Sequence, residues 1–464
     1  MPERVLVIGL DCLGPELLTD ASLAELPQLR TLVERGMSGP LASTLPPITV
    51  PAWTSMLSGR DPGELGIYGF RNRARFDYGE LTFATSGQVR APRLWDFLGA
   101  VGRRSVVVGV PQTSPPPEIV GELVAGFEGE GSAMPQTFPA GLAAEVAEVA
   151  GPYRFDVSGF RERERAEVLR DVIAMTERRV RLVTHLLQTR EWDLSIWCEI
   201  GPDRIHHCFW SDHDPAHARH DPTSPYRRTI RDYYRLLDDC LGELLAVIPD
   251  ECLVAVVSDH GAQPMQGGVC INEVLRRAGW LVLEREPVVP EPLDLANVNW
   301  SRTRAWAVGG YYARIFLNIA GREPQGVIPS MERDSAREAL SALLARLELP
   351  GGPTITNEVL WPERSYRRVR GLPPDLMVFF GDCGWRSLGS VGHHAIWQTG
   401  NDTGLDEANH ARDGLYVMCG RGIPPRRNLR ASILDIAPTL LDWLGLDAPP
   451  DLGGCNLLRT RAVA

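Results

Sequence analysis

No two of the nine cysteines stand in a CxxC pair, no run of clustered basic residues breaks the acidic balance, and no apolar stretch approaches the length of a membrane span. Each absence excludes something. Scattered single thiols, several inside apolar runs, do not make a disulfide framework and suit a reducing compartment. A formal charge of -11 without a basic cluster gives nothing to neutralise a polyphosphate backbone, so a nucleic-acid polymer is not an expected partner. The acidic balance still permits a small anionic substrate, because bound cations supply local positive charge. The run Val5 to Leu10 is too short for a signal-peptide core and leads straight into Asp11. The expectation is a cytoplasmic protein with no membrane partner. No internal repeat or long low-complexity tract is visible.

The 464 residues, 44% hydrophobic and 23% charged, are ordinary globular composition. Continuous apolar runs recur at Val5–Leu10, Ser105–Val110, Leu194–Cys198, Cys252–Val257, Asp375–Phe380 and Gly414–Cys419. Such runs suit strands buried on both faces. Helical patterns lie between them, at Leu23–Gly36, Leu94–Gly99, Glu164–Gln188, Thr229–Val247 and Ile433–Leu444. The alternation predicts an α/β fold with a mostly parallel central sheet. Residues 114–194 and 285–372 break the pattern and are predicted to be inserted cap segments. The catalytic core is then 1–113, 195–284 and 373–464. The His-rich stretch 211–226 reads as a solvated loop, because Pro215 and Pro222 interrupt any helical spacing.

Acidic and imidazole residues gather where the apolar runs end. Asp11 closes the first, Asp203 and His207 follow the Leu194 run, Asp259-His260 closes the Cys252 run, and His410 stands just before the Gly414 run. In open α/β sheets, functional groups collect beyond the C-terminal ends of strands. Asp203 and His207, four apart, share one side if they lie on a helix. Three Asp and three His form a mixed oxygen/nitrogen set that suits zinc, with manganese or iron possible. One strand-end Asp alone would be an ordinary helix cap; four strand ends together point to a metal centre. Thr49 follows the rigid Pro46-Pro47 pair and precedes a helix whose amides could face an anion. In isolation it would read as a cap. Beside a metal set, its hydroxyl becomes a candidate nucleophile.

The ordered motifs Val7-Ile-Gly-Leu-Asp11, Thr49-Val-Pro-Ala-Trp-Thr-Ser-Met-Leu-Ser-Gly59, Pro202-Asp203-Arg-Ile-His-His207, Val257-Ser-Asp259-His260-Gly261 and Asn409-His410-Ala-Arg-Asp-Gly414 resemble the type I phosphodiesterase/nucleotide pyrophosphatase group of the alkaline phosphatase superfamily. The closing Ile433-Leu-Asp-Ile-Ala-Pro-Thr-Leu-Leu441 is similar to a structural helix of that superfamily. The resemblance runs from Val5 to about Leu446. It implies an alkaline-phosphatase-like α/β/α sandwich and two zinc ions per chain. One would be held by Asp203, His207 and His410, the other by Asp11, Asp259 and His260 with Thr49 beside it. It also implies a small-molecule phosphate ester as substrate and a phosphothreonine intermediate later opened by activated water.

One departure matters. The nucleotide pyrophosphatases carry an asparagine donor about twenty residues beyond the nucleophile, and aligning on Gly66-Ile67 puts Phe70 there. Arg71, Asn72 or Arg73 could replace it from the same loop. His393 or His394, in the polar stretch from Gly389 to Asp406, could serve as a leaving-group acid or phosphate donor, and His206 reads as a buried neighbour of His207. The sulfatase pattern is absent, because the Thr49-Val-Pro51-Ala-Trp53 segment has neither an oxidisable residue nor the closing arginine. Phosphodiesterase is the leading reading. Phosphomonoesterase, phosphonate hydrolysis and a non-catalytic metal-stabilised binding protein are the alternatives.

Overall fold

The computed structural model describes residues 3–79, 81–127, 136–217 and 219–459. The Val5–Leu10 strand lies at the centre of a nine-stranded sheet. On one side of it run Leu253–Val257, Asp413–Cys419, Met37–Ala42 and Ala431–Ser432. On the other run Leu194–Glu199, Ser105–Val110, Gly121–Ala125 and Thr137–Phe138. The five strands from Leu253–Val257 to Gly121–Ala125 are parallel. Asp413–Cys419 is antiparallel to both neighbours.

Alternate side chains of a strand point to opposite faces, and here both faces are covered. Leu6 and Ile8 join a core with residues of the helices Pro27–Arg35, Arg165–Thr189, Gly201–His213 and Thr229–Leu245. Val5 and Val7 join a second core with Thr49–Ser58, Leu94–Gly99 and Ile436–Trp443. Fully burying each such side chain is worth about 1.5–3 kcal/mol. That is why the apolar runs are continuous instead of alternating.

A seven-stranded second sheet packs beside this sandwich. Its path is Ala305–Val308, Ala313–Leu317, Leu376–Phe380, Trp385–Leu388, Gly267–Cys270 and Trp397–Gln398, with Asn357–Leu360 also paired to Leu376–Phe380. The Asp375–Phe380 run therefore belongs here and not to the main sheet; the two environments bury apolar residues equally well, so the run itself does not tell them apart.

Residues 114–194 are not a cap. Gly121–Ala125 and Thr137–Phe138 extend the main sheet, and Arg165–Thr189 buries Val168, Val172, Val183 and Leu186 against its face. The Gly- and Pro-rich lead-in disguised a strand paired with Ser105–Val110 on one side and with the edge strand Thr137–Phe138 on the other. The second irregular segment, 285–372, shares its sheet with residues on both sides, so the second layer spans roughly 267–398.

Candidate metal centre and active site

The strand ends deliver the ligand candidates. Asp11 follows Val5–Leu10 directly, and Asp259-His260 comes one residue after Leu253–Val257. Leu194–Glu199 leads into the helix Gly201–His213, whose first turns carry Asp203 and His207. His410 arrives from the far end of the chain on Ala408–Ala411, which pairs antiparallel with Gly261–Pro264 and sets His410 opposite Ala262. This two-stranded ribbon brings the last histidine beside the Asp259-His260 pair. Thr49 is the first residue of the helix Thr49–Ser58, with Ile48 at the cap position. Gly9 matters to this assembly. A Cβ there would meet the Trp53 ring at 2.4 Å, and only a bare backbone lets that indole lie on the strand and donate from Nε1 to Asp11 Oδ2 at 2.8 Å.

The six ligand candidates form two adjoining clusters. In the first, Asp203 Oδ1 lies 3.3 Å from both His207 Nε2 and His410 Nε2. The other nitrogen of each ring is occupied: His207 Nδ1 donates to Asp406 Oδ1 at 2.5 Å, and His410 Nδ1 donates to the Pro47 carbonyl at 2.8 Å. Both rings therefore turn Nε2 inward, the orientation of metal-binding imidazoles. Asp406 also accepts from Arg161 Nε at 2.9 Å and Arg386 Nη1 at 2.6 Å. Arg204 bonds Asp203 Oδ2 and clasps Asp156 with two nitrogens.

In the second cluster His260 Nε2 lies 3.1 Å from Asp259 Oδ2, 3.7 Å from Asp11 Oδ1 and 3.5 Å from the Thr49 hydroxyl. The Cys12 amide donates to Asp259 Oδ1 at 3.3 Å. The clusters touch through His260 and His410, whose rings stack at 3.7 Å.

The two carboxylate environments differ. Burial pushes Asp203 up, but His207 and Arg204 outweigh it and hold the carboxyl well below its usual range. Asp406 is likewise held low: burial opposes, and the His207 and Arg386 charges prevail. Asp11 and Asp259 are pushed well up, first by burial and then by neighbouring carboxylates. Burial lowers His410 to about 4 and, with the His410 charge, drives His260 well below the imidazole range. Three carboxylates and three imidazoles thus converge in a buried space, the donor set of a cation site. Asp11 Oδ1, Asp203 Oδ1, Asp259 Oδ2 and His410 Nε2 are buried and make no hydrogen bond of normal geometry among the described residues. Such orphaned acceptors are costly unless a ligand meets them. The donor set of carboxylate oxygens and imidazole nitrogens fits zinc.

The remaining sequence candidates do not converge on this site. Arg73 is an ion-pair partner of Glu323 at 2.8 Å and sits over the Trp306 and Phe316 rings. Asn72 closes its own turn, accepting from the Tyr68 amide and donating to the Gly69 carbonyl. The exposed Arg71 lies over the Phe83 ring. Phe70 packs edge-on against Phe127. His394 is exposed at a positive φ of 54°, and its carbonyl accepts from Arg277. His393 pairs with the Ser390 hydroxyl. His206 is buried as expected, bonded to the Tyr234 hydroxyl at 2.5 Å, and burial lowers it to about 3. The 211–226 stretch is not wholly a solvated loop: residues 211–213 end the helix Gly201–His213, His220 bonds the Ser211 carbonyl, and the buried His217 accepts from the Arg219 amide.

Sequence reasoning missed Asp406 as the partner of His207, and it missed Tyr311. The Tyr311 hydroxyl lies 3.2 Å from His207 Nε2, and its ring stacks on His410 at 3.6 Å. For Asp406 a signal existed, a carboxylate four residues before His410. For Tyr311 there was none, because it comes from the second layer.

A model of the family described as type I phosphodiesterase / nucleotide pyrophosphatase matches residues 5–406. No curated protein matches the chain. Among solved structures, human ectonucleotide pyrophosphatase/phosphodiesterase 5 is similar with a TM-score of 0.56 at 14% identity, covering 97% of this chain and 96% of that one. The murine protein of the same name reaches 0.52 at 14% identity, with the same coverage. An inactive threonine-to-alanine variant of the murine protein, in complex with AMP, gives the same values. At that identity the likeness shows the fold alone.

Proposed function

Since the chain belongs to the type I phosphodiesterase/nucleotide pyrophosphatase family and is thereby a phosphoric ester hydrolase, we propose that it cleaves a small phosphate diester by transferring the phosphoryl group, with one ester retained, to Thr49 as the other alcohol leaves, and then to water as a monoester. The observation that carries this is the Thr49 hydroxyl, buried at the start of a helix and 3.5 Å from His260 Nε2, at the edge of a cluster of orphaned ligand atoms.

Asp203, His207 and His410 would hold one zinc ion and Asp11, Asp259 and His260, with Thr49, a second; manganese or iron fits the same donors. Bound there, the ions would lower the pKa of the Thr49 hydroxyl and offset charge on the transferring group. The protein's own groups do the rest. Asp406 fixes the His207 ring, the Pro47 carbonyl fixes His410, and Trp53 holds Asp11. The start of the Thr49–Ser58 helix presents its positive end to the phosphoryl oxygens. The AMP in the murine structure supports a nucleotide-sized ester as the first class to try. The second layer, which carries residues 285–372, is proposed to shape the leaving-group side. All nine cysteines are free, which supports a reducing, cytoplasmic setting, and no helix among the described residues is long and apolar enough to cross a membrane.

The test is turnover of a chromogenic phosphate diester against the matching monoester after zinc reconstitution, with Thr49→Ala as control. Preference for the diester, abolished in the variant, is the expected result. Preference for the monoester would reassign the protein as a phosphatase, and undiminished turnover by the variant would remove Thr49 from the reaction.

A further inference from the structure

Among the described residues, the loop after Phe70 makes no hydrogen bond to the ligand candidates, its exposed Arg71 lying over the Phe83 ring, whereas the second layer reaches them. Arg73 is committed to Glu323, Asn72 to its own turn, and Phe70 has nothing to donate. The chain contains no lysine, so all 48 of its basic side chains are arginines. Those nearest the ligands, Arg161, Arg204 and Arg386, are bonded to Asp406, Asp156 and Asp203.

Tyr311 is different. It enters from a Gly309-Gly310 turn locked onto the neighbouring strand: the Gly310 amide donates to the Ser387 carbonyl at 2.7 Å, and the Ser387 amide returns the bond at 2.9 Å. The turn needs both glycines. A Cβ on Gly309 would lie 2.4 Å from the Gly389 nitrogen, and Gly310 has a φ of 136°. On the other side Tyr312 donates to the Tyr68 carbonyl at 2.7 Å and stacks on Phe379. The Tyr311 ring is gripped between His410, stacked at 3.6 Å, and the Arg386 guanidinium, 4.4 Å from its centroid.

The hydroxyl is thus held at a fixed place, 3.2 Å from His207 Nε2. With His207 Nδ1 bonded to Asp406, Nε2 of the neutral ring is the acceptor and Tyr311 the donor. That lone pair is the one a metal ion takes. Once an ion is bound, the phenol loses its acceptor while its ring stays clamped.

On the reading of the site given above, we propose that Tyr311 is then the hydrogen-bond donor to an oxygen of the bound phosphoryl group, so that the second layer, and not the loop after the nucleophile, completes phosphate recognition.

The experiment compares full-length wild type, Tyr311→Phe and Tyr311→Ala after zinc reconstitution. It measures metal content, calorimetric binding of inorganic phosphate, and kcat/KM on the chromogenic diester. Tyr311→Phe, which keeps the ring, is expected to retain its metal and bind phosphate about tenfold more weakly. Its kcat/KM should fall about 100-fold. Three results would overturn the proposal: wild-type phosphate affinity and kcat/KM in Tyr311→Phe; loss of an ion from that variant, which would make the phenol a ligand or a prop for one; or a defect confined to Tyr311→Ala, which would assign the residue to ring packing. If wild type binds phosphate but turns over no ester, the phosphodiesterase reading fails while the phosphate-binding comparison still decides the role of Tyr311.

Discussion

The two ligand clusters touch, yet they are built on opposite electrostatic plans. Asp203, His207 and His410 are buttressed: Asp203 has Arg204, His207 has Asp406, and Asp406 has Arg161 and Arg386. Asp11, Asp259 and His260 are bare, with one indole and one amide donated to two buried carboxylates and no arginine bonded to either. The first cluster is stable before any ion arrives. The second stores the repulsion that an ion would relieve, and Thr49 stands on that side.

The contrast can be broken by mutation. The largest effect belongs to the bare side: Thr49→Ala should retain its metal and lose turnover by about 1000-fold or more, as elemental analysis and steady-state kinetics on one preparation would check. Next, Asp203→Asn in metal-free protein should cost about 3 kcal/mol, since Arg204 and His207 are left facing a neutral group. Asp259→Asn in the same state should cost nothing or stabilise, because it removes one of two repelling carboxylates. Denaturant unfolding of both reads the sign difference directly, and equal losses would erase the distinction. Asp406→Asn should weaken the first site alone, by about 10- to 100-fold in metal affinity, seen as one weakened ion in a two-site titration.

The smallest effect is in pH. Asp11 and Asp259 have carboxyls raised above the ordinary 3.8. Above that value the unfolded chain sheds protons that the folded, metal-free protein keeps, so stability falls as pH rises through the raised folded values. Asp203 has the opposite sign: its contribution is complete above the ordinary value and is lost only in acid, so it is level over the neutral range. His260 and His410, lowered in the fold, pull the other way up to the ordinary imidazole value of 6.5, so the raised pair is read by comparing the pH slope of Tm in metal-free wild type with that in metal-free Asp259→Asn, whose Tm should fall less steeply with rising pH. Identical slopes would contradict the raised pair.

What could be read from the sequence follows from locality. Strands such as Ser105–Val110 and helices such as Thr229–Leu245 announce themselves by burial and period over a few residues. The ligand candidates were legible because each closes, follows or stands just before such a run, and Asp203 and His207 do share the helix that their spacing predicted. The rest depends on contacts across the chain. Nothing local in Gly121–Ala125 says that it extends the main sheet, nor in Leu376–Phe380 that it does not. Asp406 and His207 are 199 positions apart, and Tyr311 and His207 are 104 apart. Conversely, Arg71, Asn72 and Arg73 looked available because their sequence neighbours are polar. Glu323, which claims Arg73, lies 250 residues away.

The central claim is that Thr49 carries the phosphoryl group. Acid-quenching the zinc-reconstituted protein during turnover of the chromogenic diester, digesting it and weighing the peptide that contains Thr49 tests this directly. Thr49 carrying one phosphoryl group still esterified to the substrate's retained alcohol or phenol, absent without substrate and absent in Thr49→Ala, is the predicted result. An unmodified peptide at every quench time, with Thr49→Ala still turning over, would contradict the account.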